Sequence, residues 1–466
     1  MGVWIYCNKP GFKGVAKMNI TQYVEGVKTG KISVKKTVEA ILKEAKLSPG
    51  HFTVVTKQYA LERAELLEKN PKGRLAGVPI SIKDCICVKN IESTAGSEIL
   101  RGYRPPFNAT VIDKLEAEGA IIIGKTTQDE FGFGSFSVNT KKIPKNPLDL
   151  TRSCGGSSGG AAGFTSFTTQ PHLAIAESTG GSIANPASFC GVSGLTPTYG
   201  LVSRYGLIDY ANSLDKIGTI AKSVKDAFLG LNIISGHDEK DSTSLSQNID
   251  KEKKVKSIAI IKESLDIDKD IKDLILSKFP KVDLVSLPNV KKYALASYYL
   301  IALAESSTNL SKYCGIRYGV SDVLKGNFDE YFTSIRSKHF SQEAKRRIIL
   351  GTFARMSGFR DAYYLKAMKL RTLIINEYQK AFSKYDVLVS PTMPIIAPKF
   401  TEISKLTPAE NYMMDILTVG PNLAGLPHLS VNAGFKNKMP VGIMLTSNYL
   451  QENKLQYLGE EIEKNS

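Results

Sequence analysis

The chain has 466 residues, 42% of them hydrophobic, which suffices for one large α/β unit with a sizeable core. Basic residues outnumber acidic ones 61 to 45, a net charge of +16. With no RRM-like aromatics and no zinc-finger spacing, that excess reads first as a lysine-solvated surface and only second as a face for a polyanion such as RNA.

The longest apolar run, Tyr293 to Ala304, is shorter than the ~20 residues of a membrane span. The opening MGVWIYCNKPGFKG resembles neither a secretory signal nor a transit peptide, and regular patterning starts just after Met18, a second candidate start. A soluble chain is expected, cytoplasmic or else organellar. Cys7, Cys85, Cys87, Cys154, Cys190 and Cys314 are scattered without a CxxC pair, which fits a reducing compartment and argues against both disulfides and zinc.

In chain order, residues 19 to 70 read as helices, with apolar positions at helical spacing. GVPISIKD then alternates Val78, Ile80 and Ile82 with polar neighbours and predicts a strand. ATVIDKLEAEG predicts a helix and AIIIGKT a short buried strand. Residues 131 to 163, rich in Gly, Ser, Asn and Pro, read as a long loop, and loops of that length carry function. HLAIAE is a further strand, and ESTGGS turns it into a helix. The charged stretch 237–256 reads as a hinge or surface excursion, and YDVLVSPT (385–392) as a late strand. The alternation implies an α/β fold, a sheet covered by helices on both faces.

Two motif matches mislead. GAIIIGKT at 119–126 fits the phosphate-loop pattern letter by letter, yet its middle residues are strand material, and loop and strand cannot share them. Lys125 is expected at the end of a core strand. GGSSG at 155–159 fits the G-x-S-x-G elbow, but no buried strand precedes it, and His237 and His428 lie in loop-like contexts.

AIAESTGGSIANPASFC (174–190) is more informative. A strand ends, Thr179, Gly180, Gly181 and Ser182 turn, and a helix begins with Pro186 in its first turn. Successive backbone N–H groups at such a turn converge on one point and stabilise an oxyanion, so Ser182 would be a nucleophile beside its own oxyanion hole.

Lys83 in GVPISIKD, Ser157 in CGGSSGG and Ser182 in STGGSIANP together resemble the amidase signature family. The resemblance implies a central mixed β-sheet covered by helices on both faces and a Ser–Ser–Lys triad without histidine. Ser182 attacks an amide carbonyl, Ser157, behind a cis peptide bond, relays the proton, and Lys83 is the final base. A lysine serves as a base where burial and neighbours bring its pKa down from ~10.4.

The resemblance runs from about Ile20 to Glu463. It is strongest to the branch formed by the A subunits of tRNA-dependent amidotransferases, through PTYGLVSRYGLIDYANSLDKIG (197–218), AESSTNLSKYCGIRYG (304–319), KRRIILGTFARMSGFRDAYYLKA (345–367) and NYMMDILTVGPNLAGLPHLSV (411–431). It implies one domain over 1–466, with N-terminal helices (19–70), a catalytic core (71–236), the charged segment (237–256) and the rest of the sheet with substrate-binding residues (257–466). It also implies a glutaminase, with Asp415 meeting the α-ammonium of glutamine, Arg347 its α-carboxylate, and Tyr298 nearby. The implied partners are the B and C subunits and, through the complex, a charged tRNA. ATP and magnesium belong to the partner subunit, and no cofactor is expected in this chain. A stand-alone amidase for another small amide, or a weakly active assembly subunit, are the other readings.

Four departures from the family pattern stand out. Ser178 replaces the usual Asp, Ala184 the usual Arg and Cys154 the usual Pro, and the Ser157–Ser182 spacing is one residue longer. Opposite charges lost on both sides of one turn suggest an ion pair removed as a unit, which costs far less than stranding one partner.

Overall fold

The computed structural model describes residues 18–465. The reading of the N-terminal peptide, Cys7 included, falls outside them.

The N-terminal region opens with helices Ile20–Lys28 and Val34–Leu47, capped by the side chains of Asn19 and Ser33. Their apolar stripes bury Tyr23, Val24, Val38 and Ile41. The all-helical expectation for 19–70 is corrected here. Phe52–Val55 forms strand β1, antiparallel to the strand Ile121–Thr126 at the edge of the sheet, before helix Lys57–Lys69. Four residues between two helices are too few to display a strand period.

β2 (Pro79–Lys83), β3 (Ile121–Thr126) and β4 (Leu173–Ser178) are parallel neighbours, buried along their whole length, which is why their sequences run nearly continuously apolar. β6 (Lys216–Ala221) runs antiparallel to β4 and brings Lys216 opposite Ser178. β5 (Ser193–Thr196), β10 (His428–Lys436), β11 (Met439–Ser447), β9 (Val387–Pro391), β7 (Ile258–Ile261) and β8 (Asp283–Val285) complete one mixed sheet of eleven strands in the order β1-β3-β2-β4-β6-β5-β10-β11-β9-β7-β8. One mixed sheet runs through the described residues, the α/β sheet that the alternation predicted.

Three local readings change. The stretch 131–163 is not loop to its end, because helix Gly159–Phe167 starts inside GGSSGG. A Cβ on Gly160 would lie 2.6 Å from the His51 carbonyl oxygen, and one on Gly163 would lie 2.6 Å from His51 Nε2, so close packing selects glycine against its poor helix propensity. His428 is not in a loop but begins β10, fully buried. The charged segment contains no helix or strand, but its first half is anchored: Asp238 accepts from Thr110 and Ser203, and Asp241 pairs with Arg204.

Lys125 ends β3 as expected, with its buried ammonium donating to the Asp84 and Ile86 carbonyls and to Ser93. The apolar run 293–304 lies within helix Pro288–Asn309, and among the described residues no helix is long and apolar enough to cross a membrane.

Candidate active site at the carboxyl ends of β2, β3 and β4

The parallel strands β2, β3 and β4 end on the same side of the sheet, the usual place for chemistry in α/β folds. Lys83 is the last residue of β2, Asp129 follows β3, and the Thr179–Ser182 turn follows β4.

Lys83 is completely buried. Its Nζ lies 2.8 Å from Ser157 Oγ, 2.9 Å from the Glu177 carbonyl oxygen and 2.8 Å from Glu177 Oε2. The peptide bond between Gly156 and Ser157 is cis, as the resemblance implied. The adjacent serines divide the work. Ser157 faces Lys83, while Ser158 donates its hydroxyl to the Glu177 carbonyl and its N–H to the Ser182 carbonyl, stitching the two serine loops together. Ser182 is buried but for 8% of its surface.

The turn carrying Ser182 is wedged on every side. A Cβ on Gly180 would sit 2.8 Å from the Tyr298 ring, and one on Gly181 would sit 2.3 Å from Thr418 Oγ1, so both positions require glycine. Asn422 donates its side-chain amide to the Thr179 and Leu214 carbonyls. The Thr179, Gly180 and Gly181 amides meet no backbone acceptor among the described residues, which leaves them available to an oxyanion.

Beneath the turn, Thr179 Oγ1 lies 2.7 Å from Glu177 Oε1 and 2.8 Å from Asp215 Oδ1. Burial, and then the neighbouring Glu177, push the Asp215 carboxyl well above its ordinary range. Asp129 supports the other loop. It accepts from the Ser137 and Asn139 amides, and its carboxylate fills the space that a Cβ on Gly134 or Gly156 would need. Burial raises its pKa to about 7.

Asp415 and Arg347 are both buried. Asp415 accepts from Ser135 at 2.8 Å and Tyr299 at 2.6 Å, and burial raises its carboxyl above the usual range. Arg347 donates to Glu343 at 2.8 Å and to the Tyr210 hydroxyl at 2.6 Å, with its guanidinium over the rings of Phe133, Tyr210, Tyr299 and Tyr412. Tyr299 thus links the two charges. The segment 132–135 links them to the triad, since Gly132 lies beside Ser157 and Glu177 while Ser135 holds Asp415. A cavity of about 650 Å³ reaches Arg347, Ser135 and Tyr299 from the surface, though its walls stop short of Ser182.

Lys83, Ser157, Ser182, Thr179, Gly180, Gly181, Tyr298, Arg347 and Asp415, the residues expected to form the site, therefore lie together in a single region. Tyr298 packs on the turn, and it is the next residue, Tyr299, that touches Asp415. Sequence reasoning missed Glu177, Asp215, Asp129, Ser135, Tyr210, Glu343 and Asn422. The available signal for Glu177 was a lone carboxylate in the otherwise apolar strand LAIAES, five positions before Ser182.

The chain belongs to the amidase family, whose model matches residues 36–455. It is 44% identical over 418 residues to the A subunit of glutamyl-tRNA(Gln) amidotransferase from Archaeoglobus fulgidus, covering 88% of this chain and 91% of that one. It is 41% identical over 467 residues to its counterpart in Sulfolobus acidocaldarius, covering 96% and 98%. The crystal structure of the Thermotoga maritima counterpart superposes with a TM-score of 0.79 at 35% identity, covering 97% of each chain.

Proposed function

We propose that the chain is the glutaminase subunit of a tRNA-dependent amidotransferase. Ser182 attacks the side-chain amide of glutamine, its proton passes to Ser157 as the proton of Ser157 passes to Lys83, and the turn amides of Thr179, Gly180 and Gly181 hold the oxyanion. Collapse of the tetrahedral intermediate, with a proton returned to the leaving nitrogen, releases ammonia and leaves a glutamyl ester on Ser182, which water hydrolyses.

The observation that carries the choice of glutamine is the pairing of one buried anion, Asp415, with one buried cation, Arg347, linked through Tyr299 beside the triad. A free amino acid offers one charge of each sign to such a pair, whereas a simple amide offers neither. The B and C subunits, and a charged tRNA brought by the complex, are the proposed partners. ATP and magnesium are proposed to act on the partner subunit, with no cofactor in this chain, and the proposed setting is the cytoplasm.

Ammonia release from glutamine, measured for the chain alone and for the complex co-expressed with the B and C subunits, tests this. Release that rises in the complex with charged tRNA and vanishes in Ser182→Ala is the expected result. Release from simple amides but not from glutamine would refute the roles of Asp415 and Arg347. No release from an intact complex would refute the enzyme reading.

A further inference from the structure

The lysine of the triad does not stand alone. Glu177 Oε2 sits 2.8 Å from Lys83 Nζ, with Lys83 fully buried and Glu177 nearly so. The glutamate is itself held from behind: Thr179 donates its hydroxyl to Oε1, and Asp215 stands on the other side of that hydroxyl, accepting from the Tyr210 and Ala211 amides. A hydroxyl has one proton and cannot donate to two carboxylates at once. A protonated Asp215 resolves this, donating to Thr179 while Thr179 donates to Glu177, and the raised Asp215 carboxyl agrees with that order.

We propose that Glu177 is a positioning residue for the reaction, the counter-ion that orients Lys83 toward Ser157 and stabilises the ammonium formed when Lys83 receives the Ser157 proton. This rests on the triad reading above. Glu177 does for the amine what the buried aspartate of a Ser–His–Asp triad does for imidazole: it touches neither substrate nor nucleophile, but it fixes the base and supports its charged form. The carboxylate fixes the amine beside Ser157 and offsets the positive charge that Lys83 takes up when the Ser157 proton arrives. The other ionisable groups around Lys83 are Cys85 from its own chain segment, Asp129 from the loop after β3, Asp215 behind Glu177 and Thr179, and Arg347 on the far side of Asp129. None of these approaches Nζ as Glu177 does.

The test is the pH dependence of Ser182 labelling by phenylmethylsulfonyl fluoride in the full chain, which requires neither glutamine nor partners. In that reaction a Ser182 Oγ–S bond forms, the S–F bond breaks, fluoride leaves, and the proton passes through Ser157 to Lys83. Glu177→Gln keeps the shape and the Thr179 hydrogen bond but removes the charge. Its acid limb is expected at least one pH unit lower than that of the unsubstituted chain, a tenfold gain in free base below the limb, with a plateau several-fold lower. Thr179→Val strips a donor from the Glu177 carboxylate, which then holds the Lys83 proton more tightly, and the limb is expected to move up. Position of the limb is read independently of its height, so partial loss of folded protein does not mimic either shift. Limbs that stay in place in both variants, or that move the wrong way, overturn the proposal alone. Absence of Ser182-dependent labelling in the unsubstituted chain overturns the triad reading, and this proposal with it.

Discussion

Lys216 begins β6 at the active-site end of the sheet, opposite Ser178, where the family resemblance implies an acid. It is 2% exposed, and its ammonium donates to the Leu426 carbonyl at 2.9 Å. Burial, opposed by Glu452 and assisted by Arg371, brings its pKa from 10.5 down to about 7. A folded value below the unfolded one means that the unfolded chain binds more protons between those two values. Stability therefore rises with pH from about 7 to about 10.5, and the whole penalty is present below about 7. At ~1.4 kcal/mol per unit the shift corresponds to at most ~5 kcal/mol. Lys216→Met keeps the length and removes the charge, at the loss of one hydrogen bond to a buried carbonyl, ~1–3 kcal/mol. The variant is expected to be more stable than the parent by roughly 2–3 kcal/mol at pH 6.5, with the gap shrinking to nothing or reversing by pH 9.5. Denaturant unfolding of both chains at pH 6.5, 8 and 9.5 measures this, and groups common to both chains cancel in the difference. A gap that is constant across that range would refute the assignment of the buried charge to Lys216.

Asp415→Asn is expected to raise KM for glutamine ~10–100-fold with a smaller change in kcat, the ~1.5–3 kcal/mol of a charge-assisted hydrogen bond, and steady-state ammonia release measures it. In the unsubstituted enzyme that KM is expected to rise as pH falls, because the raised Asp415 carboxyl loses its charge earlier than an ordinary aspartate, and the pH profile of KM checks the direction. Arg347→Lys is expected to weaken glutamine binding at least tenfold, since a point charge cannot reproduce a planar fork lying over four rings, and the KM series again measures it. Gly181→Ala forces a Cβ to 2.3 Å from Thr418 Oγ1, so kcat is expected to fall at least 100-fold while Lys83 and Ser157 stay in place, and adding Thr418→Ala should restore part of it.

What was legible in the sequence was local. Lys83, Ser157 and Ser182 sit in short motifs whose backbone demands are written in adjacent glycines and in a strand–turn–helix pattern. Asp415 and Arg347 came through the resemblance alone, because nothing near them in the chain signals an amino-acid site. Glu177 was invisible as a partner of Lys83. The two are 94 positions apart and meet only through the parallel register of β2 with β4. Tyr298 and Tyr299 are adjacent on one helix, so which of them reaches Asp415 depends on how that helix rotates against its neighbours. The strand Phe52–Val55 and the helix start at Gly159 failed for the same reason. Each is fixed by close contact with His51, Phe52 or β3, and not by its own period or propensity.

The replaced charges at Ser178 and Ala184 are best judged against what now holds the nucleophile turn. Both positions are fully buried, and Ser178 donates its hydroxyl to the Gly180 carbonyl at 3.2 Å, so neither leaves a stranded charge. The remaining supports converge from distant parts of the chain. Asn422 holds the Thr179 carbonyl, Tyr298 and Thr418 close over the two glycines, the Asn185 amide bonds the Gly181 carbonyl at 2.8 Å, and the Thr179 hydroxyl is tied to Glu177 and Asp215. A turn fixed at each of its residues by neutral or matched partners does not need an ion pair across it, and taking two charges out of a buried site removes their desolvation penalty. The acidic charge at this end of β4 sits one residue earlier, at Glu177, where one oxygen faces Lys83 and the other accepts from the Thr179 hydroxyl of the turn. On this reading the departures leave the turn rigid and place the anion beside the base.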